Sequence, residues 1–238
     1  MTDNNFSVFC DVYIGFKTVN ISYFVGNFFG TGLTEITLNG PEIYADNYAF
    51  AGLLIGIGGL VYLRVGGVAG AVLFAFGLLC VVMCGAQLFT GKAGFLSYKE
   101  FPRLMAMIAL NAVGCAIAAL IASYSSSEAL VANLSTIIDA RLAAPWHKLL
   151  VTSAGTGMIM TLAVYGARQK HYLPLLFGVP VFILCGLPHC VADAFYYAAA
   201  AFYSEFEWSL VTAWLWAIVG NYIGCNLPRW FMGETFQN

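Results

Sequence analysis

A histidine and an aspartate lie in one of the most apolar stretches of this chain, "ILCGLPHCVADAF", residues 183–195. His189 and Asp193 are four residues apart, a spacing that places two side chains on the same face of a helix. Gly186 and Pro188, which precede them, are the residue types that most readily interrupt a helix. An imidazole exchanges protons near neutral pH, and a neighbouring carboxylate biases its protonation. The stretch therefore combines a helix break with groups that can do proton-linked chemistry.

The composition of the 238-residue chain is that of a polytopic membrane protein. Hydrophobic residues make up 61% of it and charged residues only 9%, whereas charged residues are about 25% of ordinary soluble domains. The net charge of −2 gives no indication of nucleic-acid binding. We therefore expect membrane lipid, and no nucleic acid, around the chain. Within a membrane span, an ionisable side chain such as His189 indicates a functional site.

An intramembrane enzyme using His189, Cys190 and Asp193 is the alternative from a different functional class. The chain has seven cysteines and three histidines, but no CxxC, HExxH or GxSxG pattern. With no second cluster to complete a triad or a metal site, the sequence predicts neither an enzyme nor a bound cofactor or metal.

Apolar stretches long enough, or nearly so, to cross a bilayer organise the rest of the chain; a spanning helix needs about 20 residues. They cover residues 48–63, 67–89, 104–124, 149–166, 173–203 and 208–227. With six spans, seven of the ten Lys and Arg residues lie on the same side of the membrane as the termini and three lie on the opposite side. Because Lys and Arg are enriched in cytoplasmic loops, we expect both termini in the cytoplasm and the protein in a cell inner or plasma membrane. We interpret residues 1–47 as a cytoplasmic extension, 48–231 as a six-helix channel domain and 232–238 as a cytoplasmic tail.

The second and third spans of each half carry matching motifs. "CGAQLFTG" and "CGLPHCVAD" both begin with Cys-Gly, and "NAVGC" in the third span is echoed by "NYIGC" in the sixth. Three spans per half make the second copy inverted, so the pattern predicts two inverted three-helix repeats. Interrupted helices at matching places mark a transporter's substrate site near the membrane midplane. We expect interruptions close to residues 86–92 and 185–189.

These motifs resemble those of the formate/nitrite transporter family over residues 48–231. "CGAQLFTG" is similar to the family's broken second helix, "GLPHCVADAF" to its fifth-helix motif, and "NAVGC" and "GNYIGC" to its third- and sixth-helix motifs. The resemblance implies an all-α, aquaporin-like bundle of six transmembrane helices, broken in helices two and five and assembled as a homopentamer. It also implies a channel for a small monovalent anion or its conjugate weak acid, such as formate, nitrite, hydrosulfide or a short carboxylate.

The resemblance also assigns roles to single residues. The family's pore histidine corresponds to His189, its threonine partner to Thr90 and its sixth-helix asparagine to Asn221. The outer vestibule lysine corresponds to Arg141, with Lys148 as a second candidate for that charge. Candidates for the narrow part of the pore are the apolar residues Leu88, Phe89 and Phe182.

Three positions depart from the family pattern. Gly157 stands where the family has an asparagine, Arg141 replaces the lysine and Asp193 replaces a second asparagine. Asp193 is either a hydrogen-bonded or ionic partner of His189 in the pore or a structural cap, and both alternatives stay open. Because a fixed negative charge near the constriction opposes an anion, a channel for a small neutral solute is the alternative function.

Overall fold

The computed structural model describes residues 45–203 and 207–233, which are helical with short connections and contain no strand. The helices are α1 (Ala45–Val65), α2 (Gly67–Met83), α3 (Phe89–Lys92), α4 (Phe101–Tyr124), α5 (Glu128–Leu142), α6 (Trp146–Arg168), α7 (Leu173–Leu184), α8 (Cys190–Ala200) and α9 (Trp208–Met232). A 3₁₀ turn, Tyr98–Glu100, precedes α4. Most of the expected N-terminal extension and C-terminal tail lies outside the described residues.

Four helical segments are long and apolar enough to cross a membrane. They are Ala45–Val65, Tyr98–Tyr124, Trp146–Arg168 and Trp208–Met232. They correspond to the first, third, fourth and sixth apolar stretches of the sequence. The second and fifth stretches instead begin with the shorter apolar helices Gly67–Met83 and Leu173–Leu184, because in both the chain leaves the helical conformation part-way.

Both short helices end in the same way. Gly85 and Gly186 have φ angles of 65°, a left-handed conformation that glycine adopts without steric cost. The N–H groups of the residues that follow them reach back to the carbonyls of Val81 and Phe182, each at 2.9 Å. These bonds are those of a Schellman motif, which satisfies the last carbonyls of a helix.

The helical conformation is interrupted at residues 84–88 and again at 185–189. The first interruption lies earlier than the expected 86–92, because residues 89–92 already form α3. Both interruptions are followed by a helix that starts inside the protein, since Phe89 and Cys190 are fully buried.

Helix α5 occupies a region that the hydropathy pattern leaves as a loop. It begins after Ser127, whose Oγ accepts a hydrogen bond of 3.3 Å from the N–H of Leu130. Leu130 and Leu134 are its buried residues. Because polar side chains lie between them, the hydropathy of the segment is too low to predict a membrane span. Asn133 ties α5 to the end of α1, with Nδ2 donating to the carbonyl of Leu63 at 2.9 Å.

Glycines set the closest helix packing. A Cβ on Gly114 of α4 would overlap the carbonyl oxygen of Ala49 on α1. A Cβ on Gly224 of α9 would overlap the carbonyl oxygen of Ala154 on α6 in the same manner. Small residues that bring helix backbones together are typical of membrane helix packing. The α1–α4 and α6–α9 pairs hold Asn111 and Asn221, which are described next.

Candidate functional site

Asn111 of α4 holds the first helix break. The residue is fully buried, and its Oδ1 accepts a hydrogen bond from the N–H of Phe89 at 2.9 Å. Its Nδ2 donates to the carbonyls of Tyr48, at 2.7 Å, and Gln87, at 3.1 Å. The amide thereby satisfies a free N–H at the start of α3 and a carbonyl of the break, groups that are costly to bury unpaired.

Asn221 of α9 makes the equivalent contacts at the second break. Its Oδ1 accepts from the N–H of Cys190 at 2.8 Å, and its Nδ2 donates to the carbonyls of Ser153, at 2.8 Å, and Pro188, at 3.1 Å. Both amide hydrogens are therefore donated to backbone carbonyls. The resemblance assigns Asn221 to the substrate pore, and in the structure its side chain holds the start of α8.

The two breaks meet at His189 and Thr90. His189 precedes α8 and is 2% exposed, and Thr90 lies in α3 and is fully buried. The His189 Nδ1 accepts a hydrogen bond from the N–H of Ala192 at 3.1 Å. Its Nε2 lies 2.9 Å from Thr90 Oγ1. A neutral imidazole whose Nδ1 accepts carries its proton on Nε2, so His189 donates to Thr90 and leaves the Thr90 hydroxyl hydrogen free to donate elsewhere.

The three apolar residues expected at the constriction have different surroundings. The ring of Phe182 stacks on the His189 imidazole, with centroids 5.3 Å apart and 20° between the planes. Leu88 precedes α3 in an extended conformation and is 2% exposed. Phe89 is fully buried and does not line either of the two cavities described below.

One cavity, of about 210 Å³, opens beside His189. Its walls come from α5, α7, α8 and the second break, together with Tyr62 of α1. We call it the Arg141 cavity; its polar and aromatic lining includes Tyr62, Thr136, Arg141, Phe182, His189, Asp193 and Tyr196. The cavity therefore brings together four of the residues singled out in the sequence: Arg141, Phe182, His189 and Asp193.

Arg141 and Asp193 form an ion pair in this cavity. The Arg141 Nε and Nη2 both donate to Asp193 Oδ1 at 3.3 Å, and Nη1 donates to the carbonyl of Gly186 at 3.2 Å. The Asp193 side chain is 1% exposed and that of Arg141 12%. Arg141 is thus a helical residue paired with Asp193, and its role as the vestibule charge stays a prediction.

The partner of Asp193 also differs from both alternatives drawn from the sequence. In the described residues its carboxylate is hydrogen-bonded neither to His189 nor to the backbone N–H groups of α8. The two N–H groups that it accepts come from Arg141, on a helix that the sequence pattern does not predict. Lys148, the second candidate for the vestibule charge, is exposed on α6 and does not line the Arg141 cavity.

A second cavity, of about 150 Å³, lies near the first break, and we call it the Lys92 cavity. Lys92, Arg168 and Leu88 line it. The Arg168 guanidinium carbon lies 3.6 Å from the ring centroid of Phe95, a cation–π geometry. The lining of this cavity includes no carboxylate among the described residues.

A family model described as "Formate/nitrite transporter" matches residues 44–228. The chain belongs to the formate/nitrite transporter family. A relative from Bacillus subtilis (strain 168), "Uncharacterized transporter YrhG", is 26% identical over 224 residues, which are 81% of this chain and 84% of the relative. The family-model match confirms the resemblance drawn from the motifs. As a member of a transporter family with several long apolar helices, the protein is an integral membrane transporter or channel and not an enzyme.

Solved structures of the same family share the fold. An "FNT family ion channel" aligns with a TM-score of 0.68 and 21% identity, over 81% of this chain and 88% of that one. A "Pentameric formate channel with formate bound" aligns with a TM-score of 0.68 and 20% identity, over 80% of this chain and 93% of that one. The described helices therefore share the overall fold of these two channels.

One departure of this formate/nitrite transporter family member has a steric explanation. A Cβ on Gly157 would overlap the carbonyl oxygen of Asn221 and lie 2.8 Å from the N atom of Cys225. The family's asparagine therefore has no room at this position. Gly157 lets α6 approach α9 so that the Asn221 amide can reach the carbonyl of Ser153.

Asn111 is a residue of the site to which the motif comparison assigned no role of its own. The sequence shows it only as part of an echoed "NAVGC" motif, whereas in the structure it makes the same set of contacts as Asn221. The signal was present in the spacing, because Asn111 and Asn221 both stand three residues before the closely packed glycines, Gly114 and Gly224.

Proposed function

We propose that this protein is a channel for a small monovalent anion or its conjugate weak acid, such as formate, nitrite, hydrosulfide or a short carboxylate. The observation that carries the proposal is the buried hydrogen bond between Thr90 and His189, which joins the two helix breaks. Donors held at a break inside a membrane bundle are suited to a polar solute, because broken backbone at membrane depth lines a cavity or is buried in protein. Family membership and the formate bound in the related pentameric channel support the same class of substrate.

The proposed topology has six crossings. In it, α2 with α3 and α7 with α8 form two interrupted crossings, and α1, α4, α6 and α9 form the other four, which gives two inverted three-helix repeats in an aquaporin-like bundle. The equal contacts of Asn111 and Asn221 support this symmetry. The bias of Lys and Arg then favours cytoplasmic termini in a cell inner or plasma membrane. The Lys92 cavity faces the cytoplasm in this orientation, and the Arg141 cavity faces outward.

We further propose that His189 acts as a neutral donor at the centre of the pore. An imidazolium would need a proton on Nδ1, where the N–H of Ala192 now donates. The ring therefore keeps its proton on Nε2, and Thr90 turns its own hydroxyl hydrogen toward the passing solute. Phe182 on one side and Leu88 on the other form the apolar surroundings of this donor. Because an unpaired charge is costly in such surroundings, the weak acid crosses this point as an uncharged molecule.

A homopentamer with one pore per protomer is the proposed assembly. The related formate-bound channel is pentameric. The single chain also leaves large apolar side chains of α2 exposed, including Val68 at 65% and Phe76 at 59%. In a membrane such side chains contact either lipid or a neighbouring protomer, so they are compatible with this assembly.

Flux into proteoliposomes tests the function directly. Purified protein is reconstituted, and uptake of formate, nitrite, hydrosulfide and lactate is followed at pH 5.5 and 7.5 against protein-free vesicles. We expect at least one of these solutes to enter faster through the protein, with more uptake at the lower pH. Equal rates with and without protein for every solute would refute the proposal.

A channel for a small neutral solute is a second candidate, favoured by the Arg141–Asp193 ion pair, which leaves the Arg141 cavity without a free cation among the described residues that line it. Swelling of the same vesicles in urea or glycerol distinguishes the two. Fast swelling without weak-acid uptake would support the neutral solute.

A further inference from the structure

The Arg141 cavity is electrically balanced. Arg141 and Asp193 are the charged residues among those that line it, and they are bonded to each other. The Lys92 cavity has the opposite character, since its lining combines Lys92 and Arg168 without a carboxylate in the described part of the chain. The two cavities thus present different electrostatic environments to a solute.

Asp193 retains an acceptor that the protein does not use. The side chain is fully buried, and Oδ1 accepts both N–H groups from Arg141. Oδ2 is also buried and has no hydrogen-bond partner within the described residues. A buried carboxylate oxygen without a donor is unfavourable. A solute that offers an O–H, S–H or N–H group would satisfy it.

Arg141, in contrast, has few free N–H donors with which to bind an anion. Three of the five N–H groups of a guanidinium are engaged here, two with Asp193 and one with the Gly186 carbonyl. An anion that entered would also meet the negative charge of Asp193. The two remaining N–H groups of Arg141 could bind the anion only beside that carboxylate, and moving Arg141 away from Asp193 would strand a buried charge.

We propose that the Arg141 cavity recognises the undissociated form of the weak acid, whose hydrogen is donated to Oδ2 of Asp193, and does not concentrate the anion. The inference rests on the proposed function, because it takes a weak acid as the substrate. The cavity volume of about 210 Å³ is several times the ~30 Å³ that one water molecule occupies, so a three- to five-atom acid fits with water beside it. Asp193 is then a specificity-determining residue, in direct contact with the substrate.

The test compares initial rates of formate uptake at 10 and 150 mM ionic strength, at a fixed concentration of formic acid. A free cation attracts anions much more strongly in dilute buffer, where the screening length is about 30 Å instead of about 8 Å. The wild-type protein should show equal rates at the two ionic strengths. Asp139→Asn is the matched control, because Asp139 is an exposed carboxylate of α5 two residues from Arg141 and its removal should change nothing.

Single variants of the pair distinguish the undissociated acid from the anion. Asp193→Asn frees Arg141 to attract the anion, so the rate in dilute buffer should rise about three- to tenfold over that at 150 mM. Arg141→Gln leaves Asp193 unpaired, and because the undissociated acid carries no charge, its rate should stay independent of salt. The double variant Arg141→Gln/Asp193→Asn should also be independent of salt. If one single variant does not yield a monodisperse protein, the salt effect of the other decides the question.

Three results would overturn the inference: a wild-type rate that already rises severalfold in dilute buffer, an Asp193→Asn protein without a salt effect, or an Arg141→Gln rate that falls in dilute buffer. Each would leave the proposed channel intact, because formate would still enter through the protein. Failure of the channel proposal looks different, since the wild-type protein would then carry none of the weak acids at any ionic strength.

Discussion

His189 Nε2 and Thr90 Oγ1 lie 2.9 Å apart, although 99 positions of sequence separate the two residues. Thr90 lies in α3 and His189 directly precedes α8, and both of these helices start inside the protein after an interruption. The bond therefore depends on both breaks being held in place, and Asn111 and Asn221 hold them with matching sets of hydrogen bonds. The glycines at the crossings of α1 with α4 and of α6 with α9 bring those asparagines close enough.

The Thr90 hydroxyl should be required for transport. Thr90→Val keeps the shape of the side chain but removes the group that accepts from His189 and donates to the solute. We expect formate uptake to fall about tenfold, the effect of losing roughly 1.4 kcal/mol of hydrogen bonding at the barrier. Thr90→Ser retains the hydroxyl and should keep most of the rate. Equal uptake by the valine and serine variants would show that the hydroxyl has no part in transport.

Gly157 should tolerate no side chain. A Cβ there would overlap the backbone of α9, so Gly157→Ala should reduce the yield of folded protein sharply. Gly155→Ala, two residues away on the same helix, meets only Leu187 Cδ1 at 3.4 Å and should fold normally. Size-exclusion chromatography in detergent measures both. Normal yield of the Gly157 variant would contradict the close crossing of α6 and α9.

Asn111 and Asn221 should contribute equally to stability. Asn111→Ala and Asn221→Ala each leave a buried N–H and two carbonyls without their partner, and each unsatisfied group costs about 1–3 kcal/mol. We expect both variants to lower the melting temperature in detergent by about 5 °C or more. Asn133→Ala, which removes a single hydrogen bond to Leu63 at a half-buried position, should have a smaller effect. A change in only one of the two would argue against equivalent roles.

The assembly should be pentameric. We expect a native mass spectrum with one main species of five chain masses that retains this stoichiometry in mild detergent. A well-resolved spectrum of monomers or trimers would contradict the proposed assembly while leaving the fold of the protomer unaffected.

The candidate histidine and its surroundings could be identified from the sequence because their signals are local. Gly186 and Pro188 directly precede His189. The Cys-Gly pairs that follow α2 and α7 place a glycine where the left-handed conformation is needed. Four of the six apolar stretches correspond to long apolar helices. These patterns depend on neighbouring residues, so a single sequence contains them.

The ion pair of Arg141 and Asp193 could not be predicted in this way, because it depends on how an unpredicted helix packs. Hydropathy overlooks α5, whose buried residues are Leu130 and Leu134. A finer pattern was nevertheless present: Leu130, Leu134, Ile137 and Arg141 recur at spacings of four and three residues, which places Arg141 on the buried face of a helix. A charged residue in such a series indicates a buried partner, and Asp193 was the available carboxylate.

Formate uptake by His189→Asn tests the central role of the histidine most directly. Asparagine is a favourable residue at the start of a helix, so its Oδ1 can still accept from the N–H of Ala192, but it is too short to reach Thr90. The control His147→Asn changes an exposed histidine of α6. We predict that His189→Asn folds and loses at least about tenfold in uptake, while His147→Asn transports as the wild-type protein does. Unchanged uptake by a folded His189→Asn protein would contradict a pore centred on His189 and Thr90.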